Sequence, residues 1–455
     1  MSDPATSLSF TEPTRSGGPP VPGSLEETGI SRETITELAL KTLYVQGSLT
    51  GRELSEYLRL PFVLLDEILE RIQQRHLVEV GGTRGHGRVG YVFDLTGAGR
   101  ERARESMESG RYVGPIPVPV ERYREWVGRQ SVKNVHVRRP DIESGFEGLV
   151  LNQKLLDQIG PAVNSAKSMF LYGESGNGKT AIAEAISRLI GGSLYLPYAV
   201  QIEGQVIVVH DPVYHRSVER DTEGTEEGWL GRPPDHDPRF VLAERPAVFV
   251  GGELMLNELD LQYDPRTKFY QAPFQMKANG GVLIIDDLGR QLVSPRDLLN
   301  RWIVPLEKEV DYLTLHTGHR FPVPFDCLVV FATNLDPREL MDEAFLRRIH
   351  YKIHVKDPSL DTYRRIFRQC CENREIEPRK GVVRRIFRRY YERLGIAPRS
   401  CHPRDLVSHL CDIAKYFEEE TRLSEDLIDK ACDSYFLDMP ELALDGALEP
   451  DTRDA

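Results

Sequence analysis

The chain has 455 residues, a 40% apolar fraction and a formal net charge of −12. That length exceeds what one hydrophobic core serves, so two or three domains are expected. The acidic balance excludes a protein that coats nucleic acid by broad phosphate neutralisation. No apolar run nears the ~20 residues of a membrane span and no secretory leader is evident, which predicts a soluble cytoplasmic protein without membrane insertion. The six cysteines form no C-x-x-C pair and no zinc spacing, so reduced thiols are expected.

Residues 1–30 are rich in Ser, Thr, Pro and Gly and lack periodicity, which predicts disorder. Over residues 31–112, Ile35, Leu38, Leu40, Leu43 and Tyr44 follow a helical period, and helices are expected at 51–58 and 62–75. Short strands at 77–80 and 89–93 flank a turn rich in Gly and Arg, and a helix is expected at 97–107. Three helices with a hairpin wing resemble a small α+β winged helix-turn-helix domain. Base readout needs Arg, Lys, Asn or Gln at the start of the recognition helix. This chain places Pro61, Phe62, Asp66, Glu67 and Glu70 there, and the cations sit in the wing, at Arg84, His86 and Arg88. Docking to a protein is the leading reading of this module, and binding to duplex DNA stays open.

Residues 113–145 read as a Pro-containing linker, stiff and extended from Gly114 to Pro119. Strands and helices alternate over 146–350, residues 351–439 turn mainly helical, and 440–455 form an acidic tail.

An apolar run ends in Gly173-Glu174-Ser175-Gly176-Asn177-Gly178-Lys179-Thr180, and Ala181 continues into a helical pattern. The G-x-x-x-x-G-K-T spacing lets backbone N–H groups converge on phosphates at a helix N-terminus. Lys179 supplies a point charge between phosphates, and the Thr180 hydroxyl can ligate Mg2+. A second apolar run, 282–285, ends in Asp286 and Asp287. Such a run reads as a buried parallel strand that presents acids where open α/β sheets bind ligands. Asp286 is expected to hold Mg2+ through water, and Asp287 to orient the attacking water. A third run, 327–333, ends in Asn334.

In this order the parts over 146–439 resemble the AAA+ ATPases. The resemblance implies an α/β P-loop core with a helical lid, ATP and Mg2+ as cofactors, and a homo-oligomeric ring, expected to be a hexamer. It also implies roles for single residues: Asn334 as sensor 1, Arg348 or its neighbour Arg347 as the arginine finger reaching into the next subunit, and Arg404 as the lid's sensor-2 arginine. Residues 270–281 are similar to the segment before the second acid motif in MoxR-type chaperones and bacterial enhancer-binding activators. By that likeness Tyr263, Phe269 and Tyr270 face a central pore, with packed aromatics as the alternative.

Two features depart from the family pattern. Asp287 stands where Glu is usual, shortening reach by about 1.5 Å. The stretch between Lys179 and Asp286 is also long, which places an insertion at about 200–250, with a hairpin at 200–209 and a charged loop at 216–238. His210, Asp211, His215 and His236 lack fixed ligand spacing and are expected to belong to a solvated loop. The leading expectation is an ATP-hydrolysing ring that remodels a protein client. A DNA-associated regulator or loader and a nucleotide-gated switch with little turnover are the alternatives.

Overall fold

The computed structural model describes residues 17–218, 235–291, 293–340 and 343–436. Its centre is a five-stranded parallel sheet of β1 (Met169–Tyr172), β2 (Ala247–Val250), β3 (Val282–Ile285), β4 (Leu328–Thr333) and β5 (Tyr351–His354). The spatial order is β2-β3-β4-β1-β5, and every neighbouring pair is parallel. Both faces are covered, which explains the near-continuous apolar runs. Met169, Leu171, Val282, Ile284 and Val330 pack toward the helices Gln153–Asn164 and Lys179–Leu189. The alternate residues Phe170, Leu283, Ile285, Val329 and Phe331 pack around the buried Trp302 of helix Pro295–Lys308. The result is an α/β core, a parallel sheet with helices against both faces.

The N-terminal elements follow their sequence signals closely. Ser31 caps helix Arg32–Gln46 by accepting from the Thr34 N–H, and Thr50 forms a reciprocal capping box with Glu53 before helix Gly51–Leu58. Helix Phe62–Gln74, strands Val78–Thr83 and Tyr91–Leu95, and helix Gly97–Ser109 complete this unit.

Three expectations need correction. Disorder does not extend to residue 30: Leu25 and Ile30 are buried in the N-terminal core, and Pro19 accepts a hydrogen bond from the Asp237 N–H at 2.7 Å. Residues 1–16 and 440–455 lie outside the described residues, as does most of the 216–238 loop. Nor are residues 113–145 merely a stiff, extended linker. Strand Val118–Pro119 pairs in parallel with Ala199–Ile202, and helix Val120–Arg129 buries Tyr123 and Trp126. The proline-rich spacing concealed a strand and an amphipathic helix that find their partners far along the chain. The third correction concerns the 200–250 insertion, whose last strand is β2 of the central sheet.

The hairpin expected at 200–209 forms, from Ala199–Ile202 and Gln205–Val208, and joins a second five-stranded sheet with Gln262–Asp264, Phe269–Gln271 and Val118–Pro119. That sheet fastens the N-terminal unit to the core. The Arg111 N–H donates to Thr267 O at 2.8 Å, the Ile116 N–H donates to Leu58 O at 2.8 Å, and Arg59 lies over the Tyr198 ring. Beyond β5 come helices Leu360–Glu372, Val382–Ile386, His402–Tyr416 and Glu425–Tyr435, packed about Tyr363, Leu410 and Leu427.

Candidate nucleotide site

Strand β4 lies between β1 and β3, so the loop after β1, Asn334 after β4, and the acid pair after β3 leave the same edge of the sheet side by side. This is the carboxyl edge, where an open α/β sheet forms its ligand crevice. Gly173, Gly176 and Gly178 all have positive φ. At Gly173 a Cβ would sit 2.3 Å from Val355 O, and at Gly176 one would sit 2.7 Å from Cys401 Sγ, so side chains are excluded at both. Helix Lys179–Leu189 then starts directly beneath the loop.

Lys179 is 7% exposed and donates to Gly173 O at 2.9 Å and Glu174 O at 3.1 Å. Burial lowers its pKa, while Asp286, Asp287 and Glu174 oppose that shift and favour the charged amine. The Thr180 hydroxyl donates to Asp286 Oδ2 at 2.6 Å. Asp286 Oδ1 accepts the Asp287 N–H at 2.9 Å, which holds the first carboxylate inward. Asp287 is exposed and sits at φ 51, a left-handed conformation that Asp tolerates better than most residues. Asn334 is partly buried, and its carboxamide oxygen has no hydrogen-bond partner among the described residues. A hydroxyl paired with a carboxylate, a buried amine, a glycine cradle and an unpartnered amide oxygen are the donor and acceptor set a Mg-nucleotide needs. The sequence gives no signal for Gln291. It fastens the turn after the acids by donating to Asp286 O at 3.0 Å and accepting from the Gly289 N–H at 2.8 Å.

Arg347 and Arg348 lie away from this cluster. Both precede β5, whose first residue Tyr351 is in register with Met169, while the phosphate loop follows the other end of β1. Four residues of strand separate the two places by about 13 Å. Arg348 faces Glu307 at 3.5 Å in a cleft of about 520 Å3, beside Lys167 and His350. Arg347 is exposed and paired with Glu343 at 2.9 Å.

The placement of Arg404 requires correction. It stands in the first turn of helix His402–Tyr416, 68% exposed, and pairs with adjacent Asp405 at 3.0 Å. The lid arginine that touches the loop is Arg399, 3.2 Å from Glu174 and also ion-paired with Asp357. Residues 398–404 contain two arginines; the family resemblance favours Arg404 at the helix start, whereas Arg399 precedes that helix and faces the loop. The aromatic candidates resolve toward packing: Tyr270 is buried, Phe269 packs on Tyr112 at 5.8 Å, and Tyr263 stacks on His316 at 4.2 Å.

The histidine segment is not a solvated loop. His215 is 2% exposed, accepts from the Asp211 N–H at 2.8 Å and lies 2.8 Å from Lys277 O, while Asp211 pairs with Lys277. No group of three or more metal-binding side chains occurs among the described residues. All six cysteines are free thiols, and no described helix is long and apolar enough to cross a membrane.

A family described as a domain of unknown function (DUF8689) matches residues 359–434, the helical segment that carries Arg399 and Arg404. No curated protein matches the sequence. Among solved structures, the chain is similar to the RuvB Holliday junction branch migration motor of Thermotoga maritima, with 14% identity and a TM-score of 0.34 over 62% of this chain and 68% of that one. It is also similar to NtrX from Brucella abortus in complex with ADP, with 14% identity and a TM-score of 0.36 over 72% of this chain and 64% of that one.

Proposed function

We propose that this protein is a Mg-dependent ATPase of the AAA+ type that works as a homo-oligomeric ring and couples hydrolysis to remodelling of a protein client. The observation that supports it most is the convergence of Lys179, Thr180, Asp286 and Asn334 at one sheet edge, with Thr180 and Asp286 in contact at 2.6 Å. On this reading backbone groups from Gly173 to Ala181 and the Lys179 amine hold the phosphates. Thr180 and Asp286 would hold Mg2+, which would supply positive charge to offset that of the phosphates. Asp287 and Asn334 orient the attacking water. Arg348 lies at the opposite end of β1 from its own loop, so it serves the site of an adjacent copy, as a trans finger requires.

The N-terminal unit is read as a winged helix acting as adaptor. Arg88 Nε donates to Asp66 at 2.8 Å and lies 3.8 Å from Glu70, so one of the wing's cations is spent on acids of helix Phe62–Gln74. That helix exposes Glu67 and Glu70, a surface that repels phosphates. Arg84 and His86 remain exposed, and they carry the alternative of a DNA anchor.

Steady-state ATP hydrolysis by the full chain, measured against its own concentration, tests the proposal. Turnover per subunit should rise with concentration and vanish in Lys179→Ala. Turnover stimulated by duplex DNA and lost in Arg84→Ala would overturn the protein-client part. Tight ATP binding without turnover would overturn the ATPase part and favour a nucleotide-gated switch.

A further inference from the structure

We infer that Asp357, Asn177 and Arg399 form a brace that positions the phosphate loop from the lid and transmits the loop's state to it. The inference rests on the nucleotide-binding reading above and adds side chains that bond to the loop, the hinge and the lid.

Asp357 belongs to the short connection between β5 and helix Leu360–Glu372, the hinge from core to lid. Its Oδ1 accepts from Asn177 Nδ2 at 2.6 Å and from Arg399 Nη1, so one carboxylate oxygen joins the tip of the phosphate loop, the hinge and the lid. Arg399 Nη2 reaches Glu174 of the same loop at 3.2 Å. The backbone repeats the connection: the Cys401 N–H donates to Gly176 O at 2.8 Å, and the Ser400 N–H donates to Asn177 Oδ1 at 3.1 Å. Asn177 thus gives its amide to the hinge and its carbonyl to the lid, and its residue is 3% exposed. At the other end of the loop, Val355 O lies against Gly173.

The lid side of the brace is stiff. His402 Nδ1 accepts from the Arg399 N–H at 3.2 Å and is 2.8 Å from the Tyr391 hydroxyl, which is 3.0 Å from the Tyr363 hydroxyl in the lid core. Arg399 is therefore held by packed aromatic side chains rather than by a free loop. A lid rotation relative to the sheet must carry the phosphate loop with it or break several charge-assisted bonds at once. Asp357, Asn177 and Arg399 are positioning residues in this scheme, because they act through the loop.

Hydrogen exchange of the full-length protein with and without Mg-ADP tests the brace. In the wild type, ADP should protect amides in 173–181 and also change exchange in 399–416. In Asp357→Ala and in Asn177→Ala, ADP should still protect 173–181 while the response of 399–416 disappears. Affinity for ADP should fall by about tenfold, the factor set by a lost charge-assisted hydrogen bond. Asp357→Asn keeps an acceptor for Asn177 and should restore part of the lid response. A lid response of wild-type size in both alanine variants would overturn the brace while leaving nucleotide binding intact. If ADP protects neither segment of the wild type, the nucleotide-site reading falls, and the brace with it. Wild-type exchange in β3 and β4 of each variant shows that it is folded.

Discussion

The hydroxyl of Thr180 donates to the Asp286 carboxylate at 2.6 Å, joining the first residues of the helix after the phosphate loop to the end of β3 across the intervening strand β4. On the proposed reading, Thr180→Ala removes one Mg2+ ligand and leaves the glycine cradle intact. Mg-dependent hydrolysis should fall by about 10²-fold or more, as for other lost electrostatic groups at a reacting phosphate. Raising Mg2+ should recover part of the rate in Thr180→Ala and none in Asp286→Ala, as read by initial rates across a metal titration.

Asp287 is exposed at the carboxyl edge and held at φ 51 by the turn that Gln291 fastens. Asp287→Asn keeps size and removes the proton acceptor. The expected result is a fall in kcat of about 10²–10³-fold with ATP affinity nearly unchanged, the mark of a group used after binding. Equal turnover in wild type and Asp287→Asn would exclude this carboxylate from catalysis.

Arg348 and Lys179 occupy opposite ends of β1. Lys179→Ala and Arg348→Ala should each lose hydrolysis, the finger contributing about 10³–10⁵-fold in related phosphoryl transfer. Mixing the two inactive variants should restore activity, because an intact loop of one can meet an intact arginine of the other. A mixture as inactive as its components would place Arg348 outside the neighbouring site.

Arg239 and Asp237 form an ion pair with side chains 1% and 0% exposed. The Arg239 guanidinium also donates to Thr28 O at 2.8 Å and Pro117 O at 3.4 Å, so this pair holds the N-terminal segment and residues 113–119 against strand Phe240–Glu244. Removing the acid leaves a buried, unpaired cation. Asp237→Ala should destabilise the fold by about 3–5 kcal/mol in urea titration. It should also expose residues 17–30 to proteolysis before the rest of the chain.

Burial pushes the His215 pKa down to about 4 from its ordinary 6.5, and Nδ1 is already committed to the Asp211 N–H. The folded state therefore binds fewer protons than the unfolded state between these values. This histidine's contribution to stability is complete above about pH 6.5 and is lost as the pH falls toward 4. The nearby charges are Asp211, which favours protonation, and His210 and Lys277, which oppose it. His215→Phe removes the titrating group, so denaturant midpoints from pH 7.5 to 4.5 should slope less steeply in the variant than in the wild type. Equal slopes would show that other groups govern this range.

Local chemistry was legible in the chain wherever neighbouring residues perform one task together. The phosphate loop, the acid pair after β3 and Asn334 are each a strand plus its terminal residues, and apolar runs end where the strands end. The helices that follow Ser31 and Thr50 were legible from their local periodicity, and each is capped by a side chain within three residues of the N–H it accepts. What the sequence alone did not decide was which distant segments meet. Val118–Pro119 became a strand through pairing with Ala199–Ile202, and Ala247–Val250 became the edge of the core through pairing with β3. Arg399 rather than Arg404 reaches the phosphate loop because the lid helix starts between them and its packing about Leu406, Val407 and Leu410 turns Arg404 to solvent. Side-chain type and spacing determined the chemistry available to the site, and long-range packing decided which copies of each residue type deliver it.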